Sequence, residues 1–63
     1  MAQLKFSDRM DPRKQLERDI PEEARDQNWE RWWPLKDEVV RLFNAGRPYP
    51  AAVSEAKTKV GWQ

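Results

Sequence analysis

The sequence predicts an all-α domain: three or four short helices segmented by prolines, with an irregular N-terminal arm. Three observations carry this. Five prolines cut the 63 residues into short pieces. Two of those pieces open with a proline followed by carboxylates, Pro21-Glu22-Glu23 and Pro34-Leu35-Lys36-Asp37-Glu38, the order that favours a helix N-terminus. The apolar residues between the prolines recur at spacings of three and four, the period of a helix with one buried face.

Residues 1–10 contain only the brief alternation Leu4-Lys5-Phe6, too short to define a strand. They are expected to be a flexible or partner-bound arm, with residues 11–63 forming a single small helical domain. Asp11-Pro12 reads as an N-cap followed by proline at the first helical position. Leu16 and Ile20 follow four apart, predicting a helix over 12–19 that Pro21 stops. A second helix is expected from 21 to Trp33, where Pro34 should divide it from the next. Leu35, Val39, Leu42 and Phe43 then give the strongest helical periodicity in the chain, and Gly46 suits the position just past a helix end. A helix over 35–45 follows, with Leu42 and Phe43 as core residues. Arg47-Pro48-Tyr49-Pro50 is expected to be an extended connector. A last helix over 51–60 would turn Ala52, Val53, Ala56 and Val60 to one side, with Gly61 as its cap and Trp62 folding back over its last turn.

Composition limits what such a chain can do. Hydrophobic and charged residues are nearly equal, 38% and 37%, and 63 residues lie near the lower limit for a domain that folds alone. Self-association or docking on a larger protein would add buried area, so an oligomer or a subunit is expected. With no cysteine and no histidine, disulfides, thiolate zinc sites and the commonest general base are unavailable. No enzymatic activity and no cofactor are implied. The longest apolar runs are two or three residues, so no membrane span is expected. The first residues lack the apolar centre of a signal peptide, and the expected location is cytoplasmic. The net charge of +1 is far from the basic balance of a dedicated nucleic-acid binder. Charge is uneven, however: residues 21–33 carry four acidic and two basic groups.

That acidic segment holds Asn28-Trp29-Glu30-Arg31-Trp32-Trp33-Pro34, with three of the four tryptophans in five residues. On a helix, Trp29, Trp32 and Trp33 fall at i, i+3 and i+4 and share one broad face. Such a cluster serves either as the core of a small domain or as a partner-binding hot spot, for which tryptophan and arginine are favoured. Trp32 and Trp33 point about 100° apart, so one small core cannot cover both. Trp29, Arg31, Trp32 and Trp33 are therefore the candidate partner-binding residues, with Arg31 placed to stack on an indole. The function expected from these features is that of a small non-enzymatic regulator, adaptor or inhibitor binding a larger protein.

A second reading rests on Val39-Val40-Arg41-Leu42-Phe43-Asn44-Ala45-Gly46 and the helix after it. This outline resembles the helix-turn-helix of DNA-binding regulators. The resemblance implies a dimeric transcriptional regulator, with Arg41, Arg47, Lys57 and Lys59 as candidate phosphate contacts. It departs from the motif at Arg47, where an apolar residue is usual, and at Pro48 and Pro50. An ordinary helical hairpin has the same outline. Glu23, Asp26 and Glu30 lie on one side of their helix, but Arg25 and Arg31 are interleaved with them, the pattern of a solvated face rather than a metal site.

Overall fold

The computed structural model describes residues 11–63, and the expected N-terminal arm lies outside them. Four helices are present among the described residues: α1 (Pro12–Asp19), α2 (Glu22–Gln27), α3 (Trp29–Asn44) and α4 (Tyr49–Val60). They take in 79% of these residues, with no strand among them. No helix among the described residues is long and apolar enough to cross a membrane.

Each boundary has a local cause. The Asp11 carboxylate accepts hydrogen bonds from the backbone N–H groups of Arg13 and Lys14, at 3.1 and 3.4 Å, and Pro12 takes the first helical position, where a missing N–H costs nothing. Pro21, extended at φ −62° and ψ 151°, separates α1 from α2 and places Glu22 and Glu23 in the first turn of α2. Helices α3 and α4 end alike. Gly46 and Gly61 adopt φ of 106° and 76°, left-handed values that a residue with a Cβ resists. Past each glycine the chain reaches back five residues: Arg47 N–H donates to the Leu42 carbonyl at 3.1 Å, and Trp62 N–H to that of Lys57 at 2.9 Å. These are Schellman closures, and they satisfy carbonyls that would otherwise lack partners.

The principal difference from expectation lies in the middle of the chain. The helix break falls at Asn28 (φ −120°, ψ 33°), and α3 runs through Pro34 without interruption. Pro34 is the sixth residue of α3, so the hydrogen bond it forfeits is the one to the Glu30 carbonyl. Both residues are exposed, and water can reach that carbonyl. Continuity keeps Trp32 in register with Leu35, Val39 and Leu42, which share the buried stripe of α3; a break at 34 would rotate Trp32 away from it. At 28 the asparagine side chain supplies the alternative hydrogen bonds that let a helix stop. Helix α4 also begins two residues earlier than expected, with Pro50 inside its first turn.

The core comprises Leu16 and Ile20 around the end of α1, Trp32, Leu35, Val39 and Leu42 from α3, and Ala52 and Ala56 from α4. Ala24, Tyr49, Val53, Val60 and Trp62 pack around it, partly buried. The two alanines let α3 and α4 approach closely, and this pair forms the most extensive helix contact. Phe43, expected in the core beside Leu42, is only half-buried. The stripe that the other elements cover is centred on 32, 35, 39 and 42, and Phe43 stands about 100° beyond Leu42 at its edge.

Candidate functional site

The tryptophan segment divides into two roles. Trp32 is 3% exposed and belongs to the core, whereas Trp29 and Trp33 are each 58% exposed. Trp32, a candidate partner contact by sequence, is thus enclosed by the fold. The 100° between successive helical side chains separates it from Trp33, and α4 with its C-terminal extension covers the Trp32 side. The ring of Trp62 stands 6.2 Å from that of Trp32, tilted by 51°. The closure at Gly61 positions it there.

Asn28 fixes the junction that aims the segment. Its side chain is buried, 1% exposed. The Nδ2 group donates to the Ala24 carbonyl at 2.9 Å and to the Gln63 carbonyl at 3.4 Å, while Oδ1 accepts from Gln63 N–H at 2.9 Å. The start of α3 is thereby tied both to α2 and to the chain beyond α4. Nothing in the local sequence announces a pairing across 35 positions.

The indoles are surrounded by charges of two kinds. Cations of the segment turn inward. Lys36 is 5% exposed, with Nζ 3.6 Å from the Trp33 ring centroid, 5.0 Å from that of Trp32, and 4.0 Å from a Glu17 carboxylate oxygen. Its stem lies in the apolar stripe and its ammonium reaches the edge. The Arg25 guanidinium stands 5.5 Å from the Trp32 centroid, and its Nε is buried without an acceptor among the described residues. Arg31 was the arginine expected to stack on an indole. It is half-buried and extends instead toward the last turn of α4, where a Cβ added to Gly61 would lie 3.6 Å from its Nε. Helix C-termini attract cations. Lys36 was missed by sequence reasoning, although its spacing of four from Trp32 and three from Trp33 was a usable signal. The acids, by contrast, face water: Asp26, Glu30 and Asp37 are all exposed. Asp26, Trp29, Glu30 and Arg31 line a shallow depression at the α2–α3 junction.

Of Arg41, Arg47, Lys57 and Lys59, three are paired with carboxylates. Arg41 pairs with Glu38 on α3, and Lys59 reaches the same carboxylate from α4 at 3.4 Å. Arg41 holds the Glu38 carboxyl below its usual value, and Glu38 in turn raises the guanidinium. Arg47 pairs with Glu55 at 3.3 Å. Lys57 is half-buried on α4. Across the molecule, the Tyr49 hydroxyl donates to the Asp19 carboxylate at 2.7 Å, joining α4 to α1.

No protein-family model, characterised protein or solved structure matches this chain.

Proposed function

We propose that this protein is a small non-enzymatic regulator, adaptor or inhibitor that docks on a larger protein through the surface bearing Trp29 and Trp33. One observation carries this reading. Two indoles stand more than half exposed on one helix face, four residues apart, while Trp32 is the tryptophan of this segment enclosed in the core. Large aromatic side chains left in water raise the free energy of the isolated chain, and anchors of this type dominate protein interfaces. Arg31 belongs to the rim of this surface through the depression it lines with Trp29.

The nucleic-acid reading draws less support. The hairpin of α3 and α4 has the helix-turn-helix outline, but Arg41, Arg47 and Lys59 are already engaged with carboxylates, and Glu38 and Glu55 would meet the same phosphates.

The test is capture of the partner from the native host by the parent protein and by Trp29→Ala and Trp33→Ala, each checked for retained helicity. A partner retained by the parent and lost by both variants is the expected result. A partner retained equally by all three, or duplex DNA bound with a steep salt dependence, would reject the proposal.

A further inference from the structure

The fully exposed charges beside the tryptophans are carboxylates, and this specifies the partner more closely. Trp33 has Glu30 one turn before it and Asp37 one turn after it on α3, and Trp29 shares its depression with Asp26 and Glu30. All three carboxylates are exposed. The three cations of the same region are less exposed: Arg25 beside Trp32, Lys36 in the apolar stripe with its ammonium on Trp33, and Arg31, half-buried and reaching toward the end of α4 while it lines the depression beside Trp29. What reaches solvent is a pair of indoles within an acidic rim. The Trp33 ring already receives the Lys36 ammonium at 3.6 Å, so its affinity for cations is expressed within the fold.

Resting on the docking role of Trp29 and Trp33, we propose that their occupant is a lysine- and arginine-rich segment of a partner protein. Its apolar positions would lie on the indoles and its cations would pair with Asp26, Glu30 and Asp37. Alternative occupants fit less well. A second copy would set its own Asp26, Glu30 and Asp37 against this rim, a like-charge juxtaposition. Anionic lipid headgroups and nucleic-acid phosphates meet the same repulsion.

The probes are two fluorescein-labelled amphipathic peptides with identical leucines, one with lysine and arginine on its polar face and one with glutamate. Anisotropy titrations should show the basic peptide binding, with Kd rising about tenfold between low and physiological salt. Neutralising the rim with Asp26→Asn, Glu30→Gln and Asp37→Asn together should weaken binding about tenfold and flatten that salt dependence. Trp29→Ala and Trp33→Ala should each weaken it by at least ~10-fold. Circular dichroism of every variant confirms the fold. Equal binding of both peptides, still lost in the tryptophan variants, would overturn the cationic occupant while leaving the docking surface standing. Indifference of both titrations to the tryptophan variants would overturn both. A dimer in sedimentation velocity that dissociates on Trp33→Ala would assign the surface to a second copy and also overturn the cationic occupant.

Discussion

The Asn28 carboxamide uses its donors and its acceptor on three backbone groups while almost fully enclosed. A buried amide without partners would cost several kcal/mol, and one fully engaged contributes modestly but fixes geometry. Asn28→Ala removes all three bonds and strands the Gln63 N–H. It should lower stability by about 2 kcal/mol in urea denaturation, and faster amide exchange at Gln63 would locate the loss. Tyr49 offers a second test at this scale. Burial first, then the hydrogen bond to Asp19 and its charge, raise the phenol above its ordinary value of 10.0. A group whose folded pKa lies above its unfolded one stabilises fully below the unfolded value, and its contribution fades as pH rises through the folded value. Thermal melts of the parent should therefore fall with pH from about pH 10 upward, and Tyr49→Phe should fall less steeply. Parallel curves would mean that the Tyr49–Asp19 bond is not maintained in solution.

The helices themselves test how backbone rules compete with packing. Proline in a helix interior costs about 3 kcal/mol relative to alanine, yet α3 runs through Pro34 and the helical break falls instead at Asn28. Restoring the N–H with Pro34→Ala should raise stability by about 1–2 kcal/mol, part of the gain being offset by the more flexible unfolded chain. A lower melting temperature would show that Pro34 shapes α3 in a way the packing needs. This competition also explains what could be read in advance. The bounds of α1 were legible because its start is a local device, Asp11 with Pro12, and Gly46 and Gly61 marked their helix ends for the same reason. The break between α2 and α3 was not legible, since it depends on a hydrogen bond to Gln63 that only the tertiary structure brings near. Phe43 misled because a period of 3.6 identifies a stripe but not its edges; those depend on which elements arrive to cover it. The candidate site was half legible. Adjacent tryptophans had to diverge, but that Trp32 would turn inward depended on the placement of α4 and Trp62.

At the scale of the whole molecule, one modest core supports four helices, and a domain of this size holds only about 3–5 kcal/mol in reserve. Truncating a buried tryptophan costs about 3–5 kcal/mol, so Trp32→Ala should abolish the cooperative melt altogether. Trp29→Ala and Trp33→Ala remove rings that remain largely in water, and each should melt within about 0.5 kcal/mol of the parent, the usual range for surface substitutions. Trp33 is the more informative of the pair, because its ring also holds the Lys36 ammonium. If that contact contributes, Trp33→Ala will fall at the lower end of the range, by an amount typical of an exposed cation–π pair, about 0.5 kcal/mol. Acrylamide quenching on the same proteins gives an independent reading. The parent should show a quenchable fraction that shrinks in both surface variants. Should all three substitutions destabilise alike, the indoles would form one core, and the surface on which the docking proposal stands would not exist in solution. Should only Trp32→Ala unfold, the chain's own stability does not require the two exposed indoles, and they stand available as anchors for a partner.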